Sequence, residues 1–252
     1  MIPNRIKTSF VVLAFILLTC VSCFSIKEEI YLNSDGSGKY LVYTDMIAGS
    51  RDMMLGMMSS MNPDADQDSL MKVVEDQLWQ QYPSEIDSIL DFSDKIPDSI
   101  KNDPDKQKYL ERMEMFMEGG REKGYVNSGI RFTFNSMDDL EELMDLLDQS
   151  SRAGSGEMPM PSTKVKYAFD KKSFSRTAII EDEKVEMNDS TMMALSAMLE
   201  NSSWQLIVHL PKKVKKASSD QLVKNEGKDV IYEYDLLKII SGEQSMSMKV
   251  DF

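Results

Sequence analysis

The chain has 252 residues, with 29 Lys and Arg, 42 Asp and Glu and one His, for a formal charge of −13. Residues 1–22 hold Arg5 and Lys7 and no acid, so the remainder has 27 bases against 42 acids, or −15. Such acidity argues against a nucleic-acid binder and against a body lying flat on anionic lipid, because both depend on clustered Lys and Arg. With 42% hydrophobic and 28% charged residues, the composition is that of a globular protein and excludes wholesale disorder.

The N-terminus reads as an export address. Arg5 and Lys7 precede an apolar run from Phe10 to Leu18, too short to span a bilayer, and then Thr19-Cys20-Val21-Ser22-Cys23. This junction resembles the lipobox of bacterial lipoproteins, in which a small residue precedes a Cys that is acylated and becomes residue one. Ser22 makes Cys23 the expected lipidation site. Cys20, preceded by Thr19 with Leu17 upstream, is the alternative. The resemblance implies a diacylglyceryl cysteine carrying further palmitate-type acylation, and residues 1–22 as signal peptide. No Asp follows Cys23, so an outer-membrane anchor is expected, with the periplasmic or surface face left open. Lys27-Glu28-Glu29 fits either a surface-export signal or the first strand. Both cysteines lie at this junction, so the body has no disulfide, zinc–thiolate site or cysteine nucleophile.

Residues 23–252 are expected to form one domain. Ile26, Ile30 and Leu32 alternate with Lys27, Glu29 and Tyr31, Asn33 to Gly38 is turn chemistry, and Tyr40, Val42 and Thr44 alternate again, which predicts a β-hairpin. Residues 47–125 read as an acidic, Met-rich helical insertion. Helices are expected through Met53–Met61, through Leu70, Val73, Val74 and Leu78, over Ser84–Phe92, and over Asp105–Met117 with Gly119-Gly120 as a stop. A strand at Ile130–Phe134 follows, then a helix capped at Ser136 with Leu140, Leu143, Met144 and Leu147 as its stripe, then a loop from Gln149 to Ser162. Val165–Phe169 and Phe174–Ile180 are strands joined at Asp170-Lys171-Lys172-Ser173, and Asp189 or Ser190 opens a helix to Leu199. Strands are expected at Trp204–Leu210, Val230–Tyr234 and Met246–Phe252. The fold class is α+β, a mostly antiparallel sheet drawn from both ends of the chain with helices on one face.

Motifs for chemistry are sparse. Methionine is abundant at 21 residues, and thioethers bind soft Cu(I). The Met53–Met61 group has no His or Cys beside it, however, and a flexible apolar filler is the favoured reading; Met113, Met115 and Met117 would scatter around a helix. Asp64, Asp66 and Asp68, with Glu75, match loop positions 1, 3, 5 and 12 of a calcium-binding EF-hand, but Ser69 replaces its turn glycine and Lys72 sits at position 9. Helix capping by Asp66 or Asp68 is favoured over calcium. Gly36-Ser37-Gly38-Lys39 is a hairpin turn rather than a phosphate loop. His209 is expected on the more polar face of its strand, with Gln205 and Ile207. One His and no body Cys preclude the common triads and zinc sites, although a carboxylate pair could still serve an envelope hydrolase. Lys212, Lys213, Lys215 and Lys216 form the one basic cluster, read as a solvated strand end rather than an anion site.

Two C-terminal stretches carry a family resemblance. Val208-His209-Leu210-Pro211-Lys212-Lys213-Val214, followed by Asn225-Glu226-Gly227 and the strand through Tyr232 and Tyr234, resembles the LppM-type bacterial lipoprotein domain. Asp35-Gly36-Ser37-Gly38 between two strands agrees, and the resemblance covers about 24–46 and 126–252. The body is also similar to uncharacterised lipoproteins of Bacteroidetes-like bacteria. The resemblance implies an envelope protein with a β-rich sheet and packed helices, in a family associated with lipid or phospho-head-group binding. It supplies no catalytic residue, and the C-terminal membrane segment of some members is not expected here. The functional expectation is a non-enzymatic binding or interaction lipoprotein without cofactor or metal. Its partners are the membrane, through the anchor, and a protein or lipid, but no nucleic acid. A lipid or apolar-ligand carrier is the alternative.

Overall fold

A computed structural model describes residues 25–91, 96, 98–154, 163–180, 196, 199, 202–218 and 220–252. Cys20, Cys23 and the expected cap at Asp189 or Ser190 lie outside them. Strand β1 (Ser25–Leu32) and β2 (Gly38–Asp45) form the expected hairpin, closed by Asp35, which accepts from the Ser37 amide at 3.0 Å and hydroxyl at 2.7 Å. Lys27-Glu28-Glu29 is part of β1. The chain then makes helices α1 (Met46–Met61) and α2 (Gln67–Gln80), strand β3 (Ile86–Leu90), short helices α3 (Asp98–Lys101) and α4 (Pro104–Leu110), and strands β4 (Met113–Gly120) and β5 (Tyr125–Phe134).

The expected insertion is therefore only half helical. Ser84–Asp91 is not a helix: Ile86, Ser88 and Leu90 alternate, and they pair with Gly119, Met117 and Met115, while Phe92 lies outside the described residues. Asp105–Met117 is not one helix either. It is capped by Asp103 and ends at Leu110, and Met113, Met115 and Met117 then follow a strand period on one face of β4. The two-residue spacing was the signal of a strand, not of methionines scattered around a helix.

Helix α5 (Met137–Gly154) begins as expected, with the Ser136 hydroxyl accepting from the Asp139 amide at 3.2 Å. It runs on through Gln149–Gly154, where a loop is expected, and buries Leu140, Leu143 and Leu146. Strands β6 (Thr163–Phe169), β7 (Ser173–Ile180), β8 (Ser203–His209), β9 (Lys216–Ser218), β10 (Leu222–Glu226) and β11 (Asp229–Asp235) follow, then α6 (Leu236–Ile240) and β12 (Met248–Asp251).

The fold is α+β and mostly sheet. An eight-stranded sheet runs β10-β11-β8-β1-β2-β5-β4-β3, and a four-stranded sheet runs β6-β7-β12-β9. Among the described residues all pairings are antiparallel except β1 with β8, which joins the first described strand to one 178 residues later, Ser25 opposite Ser203. The inner face of the large sheet carries Ile30, Leu32, Tyr40, Phe132, Phe134, Leu206, Val208, Val230 and Tyr232. It packs against α5 and the smaller sheet, with Val165, Phe174 and Val250 among the buried residues. A second cluster lies where β3, β4 and β5 reach past β1. There Ile47, Val74 and Leu78 of the α1–α2 hairpin pack on Ile86 and Val126. Among the described residues no helix is long and apolar enough to cross a membrane.

Candidate functional site

Two charged side chains stand in the apolar phase of their strands, and they meet. Glu28 follows Ile26 and precedes Ile30 on the inner face of β1; Arg176 lies between Phe174 and Ala178 on β7 of the other sheet. Glu28 is fully buried and Arg176 nearly so. The Arg176 Nη2 lies 3.4 Å from Glu28 Oε2, and the same oxygen accepts from Trp204 Nε1 at 2.9 Å. Arg176 also donates to the Met246 carbonyl at 3.4 Å. Burial opposes the guanidinium charge, but Glu28, with Tyr167 and Tyr40, outweighs it and pushes Arg176 above its ordinary value. Because each charge comes from a different sheet, the pair fixes how the two layers sit on one another. Its burial closes it to substrates. The sequence pattern contained the signal: two opposite charges, each in register with apolar neighbours.

The outer face of the large sheet holds a different cluster. His209 lies beside Tyr31 of β1, which stacks on it with ring centroids 4.0 Å apart and 12° between planes. His209 Nδ1 is 2.9 Å from Asp229 Oδ1 across the β8–β11 pair, and Nε2 is 3.4 Å from Glu29 Oε2, an ion-pair distance. Glu29 in turn accepts 2.5 Å hydrogen bonds from the Tyr31 and Tyr43 hydroxyls. Strand alternation explains the assembly, since Glu29 and Tyr31, Tyr43, and His209 all have the outward phase on adjacent strands. The expected placement of His209 on the polar face is correct; its three partners, Tyr31, Glu29 and Asp229, come from neighbouring strands, which local sequence does not identify.

The electrostatics decide what this cluster can do. The His209 imidazole beside Glu29 holds its carboxyl down at about 2, against burial and with help from the two tyrosines. Burial works against the imidazolium, but Glu29 and Asp229 outweigh it and raise His209 above its ordinary value. Burial and the Glu29 carboxylate push both tyrosines up. A carboxylate this acidic is a weak base, and while His209 is protonated its ring has no free lone pair to take a proton. The arrangement presents fixed charges and an aromatic edge.

A stability–pH profile follows. His209 has a raised folded value, so its contribution is complete below about 6.5 and is lost as pH rises through the folded value. Glu29 has a depressed one, so its contribution is present above 4.5 and is lost as pH falls toward about 2. His209→Gln is expected to flatten the alkaline limb of a Tm–pH scan and Glu29→Gln the acid limb. After allowance for solvent screening, Glu29→Gln costs roughly 1–2 kcal/mol on the plateau near pH 5–6, and His209→Gln lowers stability there in the same direction. Unchanged limbs in both variants would remove this cluster from the pH response.

The remaining sequence candidates resolve individually. Helix α2 starts at Gln67, and Asp66 is spent as its cap, accepting from the Ser69 amide at 3.0 Å and hydroxyl at 2.8 Å. Asp68 and Glu75 then lie about 10 Å apart along that helix, too far to share one ion; Glu75 is 3.8 Å from Arg51. Among the described residues no group of three or more His, Cys, Asp or Glu is placed to hold a metal. Met54 and Met58 pack in the hairpin while Met53, Met57 and Met61 face outward, so the methionine pairs split between two directions. The lysine cluster divides too: Lys212 donates to the Lys171 carbonyl at 3.1 Å and Lys215 to the Phe252 carbonyl at 3.2 Å. A groove of about 680 Å³ opens beside the sheet edge, with Ile89, Leu90, Leu110 and Met113 as apolar wall and Lys101 and Glu114 among its polar groups.

No family model matches the chain. No curated protein matches it either. Among solved structures it is similar to the NMR structure of the folded domain of the Mycobacterium tuberculosis LppM protein, at 11% identity over 92% of this chain and 90% of that one, with a TM-score of 0.37. At that distance the likeness assigns no role to any residue here.

Proposed function

We propose that the chain is a cell-envelope lipoprotein, anchored in the outer membrane through acylated Cys23, whose body works by binding a protein partner rather than by turnover. The observation that carries the binding half is the outer sheet face, where Glu29, Tyr31, Tyr43, His209 and Asp229 are fixed on central strands while helices and the second sheet occupy the other face. Rigid, pre-ordered polar and aromatic groups suit recognition, because little side-chain entropy remains to be lost on contact. Tyr31 is still 40% exposed and offers a ring to a partner.

The anchor half rests on Ser22-Cys23 after the apolar run. Cys23→Ser is expected to abolish incorporation of an alkynyl palmitate and to lower the membrane-bound fraction about tenfold or more. Unchanged labelling would move the anchor to Cys20, and a parent protein that takes up no label would remove it. For the binding half, photo-crosslinking from position 31 in intact cells is expected to capture one dominant protein, and Tyr43→Ala with His209→Ala to reduce that capture. An unchanged yield would sink the outer-face assignment.

The groove beside β3 favours a second reading, an apolar-ligand carrier. Its volume is in the range of small-molecule sites. Native mass spectrometry of the protein purified without detergent would show a lipid adduct, lost in Met113→Glu, if this reading holds; a bare mass would remove it.

A further inference from the structure

Helix α1 leaves much of its apolar surface uncovered. Nine of the residues in MIAGSRDMMLGMMSSM are apolar, yet Ile47 is its one buried residue. Ile47, Met54, Leu55 and Met58 belong to the cluster with α2 and the sheet. Met46, Met53, Met57 and Met61 do not. They are 37%, 46%, 44% and 77% exposed, and at about 100° per residue they fall within an arc of roughly 80°. The two charges of the helix lie outside that arc, and Arg51 is turned toward Glu75 of α2. Met71 and Val73 add exposed apolar surface on α2.

The position of this stripe in the fold says what meets it. The Ser25 carbonyl at the start of β1 accepts from the Thr44 hydroxyl at 3.0 Å, and the next residue, Asp45, caps α1 by accepting from Ile47 and Ala48. The chain therefore leaves the described structure beside the first turn of α1. Cys23 precedes Ser25 by two residues, a reach of at most about 7 Å. The root of the α1–α2 hairpin packs at this same end of the sheet, against Ile86 and Val126. The β1–β2 turn lies at the other end, roughly 23 Å away along β1.

We propose that the outward methionine stripe of α1 is a membrane-docking face that lies in the lipid interface beside the anchor and orients the body on the bilayer. This rests on the anchor reading above and adds a second contact to it. Methionine suits the role, since its unbranched, polarizable chain adapts to a disordered apolar surface. An uncharged stripe gains from apolar burial and needs no anionic lipid, in keeping with the acidic body.

The test uses the full acylated protein in phosphatidylcholine nanodiscs containing doxyl-labelled lipid. A bimane probe is placed at Met57→Cys, at Met61→Cys, or at Ser34→Cys in the β1–β2 turn. The exposed sites tolerate the change, and the parent protein, with its Cys23 sulfur acylated, is the blank. Quenching of about twofold or more at 57 and 61, with little at 34, supports docking. Equal, weak quenching at all three sites in protein that still elutes with the discs overturns docking and leaves the anchor standing. Protein that elutes free of the discs overturns the anchor and the docking face together. Unquenched probes at 57 and 61 in particles carrying paired copies overturn docking in favour of a second copy on the stripe.

Discussion

Arg176→Ala is expected to lower the unfolding free energy by about 3–5 kcal/mol, because it strands the fully buried Glu28 carboxylate without a counter-charge. Trp204 would remain as a donor to Glu28, and one neutral donor does not replace a guanidinium. The converse variant, Glu28→Ala, is expected to cost a similar amount by leaving the buried guanidinium unpaired. The informative measurement is the double variant Glu28→Leu with Arg176→Met. Desolvation of both ions opposes folding, so replacing the pair by apolar side chains is expected to restore most of the lost stability, within about 1–2 kcal/mol of the parent. Urea unfolding of the parent, Glu28→Leu, Arg176→Met and the double variant closes the cycle. A double variant as unstable as the singles would mean that the pair is not the coupling between the sheets.

The same pair shows where sequence reading reached and where it stopped. Strand alternation placed β1, β2, β6, β7, β8 and β11, since each puts apolar residues on one face and polar ones on the other. The turns at Asp35 and Asp170 were legible because their carboxylates close them, and the start of α5 because Ser136 caps it. Glu28 and Arg176 each interrupt an apolar phase. Their meaning depends on β1 and β7 facing one another, and nothing local to either strand says so. The parallel β1–β8 pairing is likewise a long-range fact. The outer cluster needs it, since it sets Tyr31 beside His209. The insertion failed for a local reason: a Met-rich, acidic stretch favours helix by propensity, and pairing with β5 overrode that preference in β4.

Gly119-Gly120 belongs to that same misreading, and Gly120→Ala is the second large expected effect. These glycines do not stop a helix; they end β4 at φ +129° and +116°, paired with Val126 and Tyr125. A Cβ at position 120 would lie 2.4 Å from the Ser84 carbonyl oxygen and 2.8 Å from the Glu85 Cα, both in the backbone leading into β3. Backbone cannot turn aside as a side chain can, so relief requires the edge strand to move away from β4. Conformational strain and overpacking together are expected to cost about 2–4 kcal/mol. Gly124→Ala separates the two causes. Gly124 also has positive φ, +74°, but no atom lies within 4 Å of its added Cβ, so strain alone should cost it about 1 kcal/mol. Hydrogen exchange gives the spatial readout. Amides of Ile86–Leu90 should lose protection in Gly120→Ala and keep it in Gly124→Ala, while β1 and β8 stay protected in both. Equal destabilisation by the two variants, with β3 still protected, would show that the close approach of Gly120 to Ser84 does not hold the sheet edge. The exposed Ile89 and the groove beside it depend on that edge, so any apolar ligand there would be lost with β3.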